Sequence, residues 1–106
     1  MKTSIASCKL WCRRGDAVIE FHVKIGAPYQ VREMWYCEWA IDPLASHQPR
    51  PSESTCSMHV LACALTAISS YLHIRQKNGD RFYMDKETTG EELLDIDFFF
   101  PRLKSN

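Results

Sequence analysis

Cys56, His59 and Cys63 form a Cys-x2-His-x3-Cys arrangement, and on a helix that spacing brings the three within roughly 60° of one another. Two chemistries use those residue types. A structural zinc ion takes four thiolate or imidazole ligands. A thiol one helical turn from an imidazole, as Cys63 is from His59, is the pair that begins covalent catalysis. Neither set is complete. No second cluster of matching spacing supplies a fourth ligand, and Cys8 and Cys12, four apart on a strand, are ~13 Å from each other. The helix carries no carboxylate to orient His59, and no glycine loop of the oxyanion type accompanies it. The phosphate, dinucleotide, zinc-protease and serine-hydrolase signatures are missing as well. The expectation is no metal, no cofactor and no enzymatic activity. The five cysteines are then small apolar residues, reduced in a cytoplasmic protein.

A second set could act through charge. Thirteen basic residues balance thirteen acidic ones, so no global field favours nucleic acid or an anionic membrane. Locally the balance fails: from Asp85 to Asp97, six acids face the single Lys86. Phe98, Phe99 and Phe100 follow directly. An acidic cluster backed by aromatic rings suits the basic groove of a partner protein, through steering and complementary potential. Glu91, Glu92, Asp95 and Asp97 would supply complementarity and Phe98 and Phe99 the anchors. Trp35, Tyr36 and Trp39 have the flat rings that stack nucleobases. They alternate between faces, and their strand carries Glu33 and Glu38 in place of Lys or Arg.

These residues need elements to hold them. With 106 residues there is room for one domain with one core. Residues 3–12 read as a strand and Arg13-Arg14-Gly15-Asp16 as a turn, with Gly15 suited to a tight hairpin. Residues 17–25, AVIEFHVKI, alternate apolar and polar. Gly26-Ala27-Pro28 breaks that strand, and after a short polar loop residues 34–41 form a third, with Trp35, Cys37, Trp39 and Ile41 on one face. The proline-bearing stretch 44–53 reads as a loop. A helix follows over about 55–77, capped by Ser54 or Thr55 and stopped at Asn78-Gly79. Residues 80–84 form a short fourth strand, and 85–106 an acidic and aromatic tail. This predicts a single α+β domain, a β-β-β-α-β antiparallel meander with one long helix packed on one face.

From Ser54 to Ile74 the helical stretch carries no formal charge over 21 residues. Leu61, Ala64, Leu65, Ile68, Tyr71 and Leu72 fill an arc of about 100°, extended by Val60, Ala67 and Ile74. Core burial explains that side. The opposite stripe, His59, Thr66, Ser70 and His73, lacks the Glu and Lys pairs of an ordinary exposed face. It is solvated by chance, covered by the C-terminal segment, or a docking surface, since depletion of charge marks interface centres. Met58 to Ile74 is too short and too often interrupted by His, Thr and Ser to span a bilayer. Ile5-Ala6-Ser7-Cys8 matches a lipoprotein cleavage pattern, but the three residues Lys2, Thr3 and Ser4 cannot form the apolar region an export signal requires.

The series VIEFHVKIGAPY, WYCEWAI, STCSMHVLACALTAI, RFYM and DIDFFFPR resembles a family of small bacterial domains of unknown function. In that family a Trp-Tyr/Ala-Cys strand precedes an Ala/Leu-rich helix, and an Asp-Leu-Gly-Phe-Pro-like ending closes the domain. This chain departs at the helix start, where Ser-Thr-Cys replaces a Gly-Val-Asp entry, and at Asp97, where a glycine is usual. The resemblance carries over no catalytic residue. By analogy of size and style, such domains accompany bacterial toxins as cognate immunity proteins. The leading expectation is therefore a protein that binds and blocks a toxin domain. The second is a homodimeric scaffold joined through His59, Thr66, Ser70 and His73.

Overall fold

The computed structural model describes residues 4–45, 49–86 and 94–102. Its first two strands, β1 (Ser4–Arg14) and β2 (Ala17–Gly26), form a long hairpin. Gly15, at φ 61°, makes the tight turn possible. The register runs from Arg14 opposite Ala17 to Ala6 opposite Ile25. It places Leu10 against Phe21 and Cys8 against Val23, so the alternating apolar positions share one face.

The expected third strand is two. β4 (Met34–Cys37) and β5 (Trp39–Asp42) are interrupted at Glu38 and lie in different sheets. Tyr29–Val31, expected as loop, is β3, pairing with β4 across a turn at Arg32 and Glu33. Arg32 there adopts φ 59°. The physical reason is one unmatched residue. Between the pairs Ile25–Trp39 and Tyr29–Tyr36, residues 26–28 face only residues 37–38. Such an offset bends a hairpin and strengthens its twist. The bend is held by Gly26 N donating to Glu38 O at 2.8 Å and by the Cys37 thiol donating to Gly26 O at 3.5 Å.

Two further short strands complete the sheets. β6 (Ser52–Ser54), also expected as loop, joins the far side of β4; β7 (Arg81–Tyr83) joins β1. The result is α+β: a four-stranded antiparallel sheet in the order β5-β2-β1-β7 and a three-stranded one in the order β3-β4-β6. The expected single meander is thus divided between two sheets.

The helix α1 (Ser57–Lys77) packs against both. Its fully buried apolar residues, Val60, Ala64, Ile68 and Leu72, are spaced by four and make one ridge. Leu61, Leu65 and Tyr71 pack as half-buried flanks, whereas Ile74, placed on the same arc by periodicity, is 59% exposed. Cys56 occupies the N-cap without a side-chain cap bond, so neither Ser54 nor Thr55 caps the helix. The C-terminal stop stands as expected: Gly79 adopts φ 105° and its N–H bonds Gln76 O at 3.1 Å. Opposite the helix ridge lie Phe21, Phe82, Leu10, Val23 and Ile41, with Phe21 and Phe82 meeting edge to face at 5.7 Å.

Beyond β7, Leu94 N donates to Phe82 O at 2.7 Å, and a one-turn helix α2 (Ile96–Phe99) follows. Leu94, Ile96 and Phe100 are buried in the same core. Within the described residues of the tail, part of the segment expected as a free acidic surface is therefore packed structure.

Candidate functional site: an aromatic face on the small sheet

The pairing of β3, β4 and β6 decides which side chains share a surface. Tyr29 stands opposite Tyr36, and Tyr36 opposite Glu53, so these three form one row across the sheet. The next row pairs Val31 with Met34. Trp35 and Cys37 point the other way, towards the core, where Cys37 is fully buried. The outward face is thus tyrosine, valine, methionine and glutamate.

The two tyrosine rings are stacked, with centroids 5.6 Å apart and planes 22° from parallel. They line a pocket of about 360 Å³ together with Val31, Arg50, Pro51 and Glu53. Val31 is 52% exposed and Tyr29 38%. Burial, with Glu38 nearby, pushes the Tyr29 phenol above its ordinary value. Tyrosine, methionine and arginine around an apolar centre are the residue types enriched where proteins meet. Sequence reasoning put Tyr36 on the face away from the core but missed Tyr29, because Pro28 and the turn at Arg32 disguise a three-residue strand.

The residues singled out from sequence are placed as follows. Glu91 and Glu92 lie outside the described residues. Asp95 caps α2, accepting from Phe98 N at 3.3 Å. Asp97, itself exposed, reaches α1: His73 Nε2 donates to its Oδ1 at 2.9 Å, Ser69 Oγ at 3.4 Å and Arg102 Nε at 3.3 Å. Those donors, His73 foremost, hold the Asp97 carboxyl below the usual range. Phe99 packs against the core, while Phe98 is 76% exposed.

The two expected surfaces therefore meet each other. The C-terminal segment touches the uncharged helix stripe at His73, through Asp97, and Ser69 beside the stripe is buried. Farther along the stripe, Ser70 is half-buried and Thr66 Oγ1 donates back to Ala62 O at 2.9 Å. At its N-terminal end the stripe is open: Met58 and His59 are exposed. There Ser54 Oγ lies 2.6 Å from His59 Nδ1, with Cys63 Sγ 3.7 Å from the same nitrogen. Cys63 and Ser54 thus compete for one imidazole nitrogen. Among the described residues no group of three His, Cys, Asp or Glu side chains is placed to hold a metal ion. Burial raises the Cys8, Cys12 and Cys37 thiols, Cys12 to about 11, which disfavours the reactive thiolate. By length and composition α1 is apolar enough to cross a bilayer; here its ridge is buried against the sheets.

A second cavity, of about 320 Å³, is bounded by Arg13, Gly15, Gly79 and Arg81. Arg13 Nε donates to Gly15 O at 3.2 Å, which ties that guanidinium into the turn forming the cavity wall.

Fold and site together define a small α+β domain with an exposed aromatic face. The chain belongs to the family described as a domain of unknown function, DUF6968, which matches residues 7–94. Neither a curated protein nor a solved structure matches it. The matched span includes β3, β4 and β6 and stops before Asp95, so the aromatic face lies inside it and α2 outside.

Proposed function

We propose that this protein is a non-catalytic, protein-binding domain of the immunity type, acting in the bacterial cytoplasm to block a cognate toxin domain. The observation that supports it best is the Tyr29–Tyr36–Glu53 row with Arg50 and Pro51 at its rim. Large, stiff side chains with a polar tip contribute most per residue to a protein interface. The row is outward-facing and directly backed by the core through Trp35 and Cys37, so a partner meets a surface that does not have to be ordered first. The docking surface is thereby assigned to the small sheet. Asp97 is engaged by His73, Ser69 and Arg102, which leaves Phe98 as the exposed ring of the C-terminal set. Of the alternative homodimer stripe, His73 is engaged by Asp97, while His59 is exposed and Thr66 and Ser70 are half-buried.

The test asks whether an adjoining reading frame encodes a toxin domain and co-expresses the two. A complex of fixed stoichiometry that Tyr36→Lys abolishes, with the variant still folded, is the expected result. A complex indifferent to Tyr36→Lys and Arg50→Glu would remove the aromatic face from the interface. Failure to form any complex would remove the inhibitor reading.

A further inference from the structure

The cavity at the end of the long hairpin has walls that carry charge of one sign. Register explains why. Arg13 of β1 stands directly opposite Arg81 of β7, and residues paired in this way hold their Cβ atoms ~4.5–5.5 Å apart. The neighbouring pair, Cys12 and Phe82, is fully buried, so alternation turns both arginines to the outer face of the sheet. Like charges opposed across two strands repel, and the rest of the row offers no relief. On its other side Arg13 faces Val18. Glu20, the acid two positions along β2, lies 3.4 Å from Lys9 Nζ.

The surroundings keep the balance positive. Asp80, next to Arg81 in the chain, is already matched by Arg14 and Arg75, two positive charges to its one. Among the described residues, those lining the cavity include no carboxylate. The end of α1 does not reverse this. Its last carbonyls, those of Ile74, Arg75 and Gln76, accept from the N–H groups of Asn78, Gly79 and Asp80, and Arg75 and Lys77 stand in its last turn. The negative end of the helix is therefore occupied by the chain itself.

Shape agrees with charge. Gly15 and Gly79 form the remaining walls, and a Cβ placed on either would meet no atom within 4 Å. The backbone is bare where a ligand would approach. Arg13 Nε donates to Gly15 O at 3.2 Å, which holds that guanidinium at the wall, so less freedom is lost on binding. A guanidinium fork matches the oxygens of a phosphate. Two such groups complement the charge of a phosphate monoester, about −1.5 to −2, better than the single charge of a carboxylate. The volume, about 320 Å³, is at the lower end of the ~300–1,000 Å³ of small-molecule sites. It admits a phosphate with a small organic group attached.

We propose that the cavity bounded by Arg13, Gly15, Gly79 and Arg81 is a binding site for a phosphate group, free or as the monoester of a small molecule. The proposal is independent of the protein-binding reading of the aromatic face. The experiment titrates the full chain, isotope-labelled for NMR, with inorganic phosphate, phenyl phosphate and acetate, ionic strength being held constant with sodium chloride. Expected are saturable shifts centred on Gly15, Gly79 and Arg81 with both phosphates, and acetate binding weaker by about tenfold or more. Tighter binding of the ester would make a phosphorylated small molecule the ligand, and equal binding would make it free phosphate; either result upholds the site. Arg81→Gln should lower affinity about tenfold, the loss expected of a charge-assisted hydrogen bond, and Arg81→Lys should recover part of it. Arg81 is exposed, so neither change should disturb the core. Shifts that never saturate, or that appear equally around Lys9 and Lys24, would mean that phosphate only screens a basic surface, and would overturn the proposal. Acetate binding as tightly as phosphate, or an Arg81→Gln variant with unaltered affinity, would overturn it as well.

Discussion

Arg14 and Asp80 meet as a two-pronged ion pair, with Nε to Oδ1 at 3.1 Å and Nη2 to Oδ2 at 3.0 Å. Arg75 adds a third bond from the end of α1, Nε to Oδ2 at 3.0 Å. Asp80 itself is 3% exposed. One buried carboxylate thus clasps the turn of the long hairpin to the C-terminus of the helix, just where β7 begins. Asp80→Asn should destabilise the protein by roughly 2–3 kcal/mol in urea unfolding. That is below the ~3–5 kcal/mol of a fully buried pair because both guanidinium groups reach solvent. A loss under ~0.5 kcal/mol would mean that the clasp is incidental.

The same carboxylate gives the fold a pH dependence with a definite sign. Arg14, then Arg75, holds Asp80 below the ordinary value of 3.8. A depressed folded-state value contributes stability that is fully present above the unfolded value and is lost as pH falls through the folded one. Acid unfolding of the wild type should therefore steepen below about pH 4, and Asp80→Asn should flatten that limb. An unchanged limb in the variant would assign the acid sensitivity elsewhere.

Asp97→Asn should loosen the C-terminal segment without unfolding the domain. It weakens three contacts, to His73, Ser69 and Arg102, at a partly exposed position. Amide exchange over residues 94–102 should accelerate, while α1 at Ile68 and Leu72 stays protected. Equal acceleration in both would show that the tail and core open as a single unit.

Ile68 and Tyr36 offer a contrast between scaffold and surface. Ile68 is fully buried on the helix ridge, so Ile68→Ala should cost ~2–5 kcal/mol through lost burial and the cavity left behind. Tyr36→Ala loses a half-exposed ring stacked on Tyr29, a matter of ~1 kcal/mol, yet it should abolish partner binding. Thermal denaturation beside binding assays separates the two effects. A Tyr36→Ala variant as unstable as Ile68→Ala would make Tyr36 a core residue instead.

The thiols should react in order of access. Cys56 is exposed, Cys63 and Cys8 half-buried, Cys12 and Cys37 fully buried. Burial also raises the Cys12 and Cys37 thiols. Under native conditions an aromatic disulfide reagent should modify Cys56 first and Cys12 and Cys37 only on unfolding. Fast labelling of Cys12 would contradict the packing of β1 against β7.

What could be read from sequence was what period and punctuation encode. The alternation in AVIEFHVKI, the turn at Gly15, and the stop at Asn78-Gly79 each specify backbone locally, and each appears where expected. The helix bounds agree to within two residues at the start, although the cap is Cys56. What escaped depends on distant partners. Nothing near Asp80 announces Arg14, 66 positions away. Ser69 is buried on α1, and the partner that accepts from its hydroxyl, Asp97, lies on another element. The division of 34–41 between two sheets left no mark on alternation in that strand, since the unmatched residue lies in the opposite arm, at 26–28. β3 and β6 have three residues each, too few to display a period. The aromatic pocket, built from both, could not be foreseen without them.

The spare residue at 26–28 has a consequence for how this surface can vary. It behaves as a shim under one arm of the hairpin, tilting the small sheet while Phe21, Val23 and Ile41 keep their seats. Shortening that segment by one would let the hairpin run straight and flatten the tilt on which the tyrosine pocket is built. Lengthening it would swing the pocket outward. Chain length at a single joint thus sets the tilt of the face that carries Tyr29 and Tyr36, with no change to the interior.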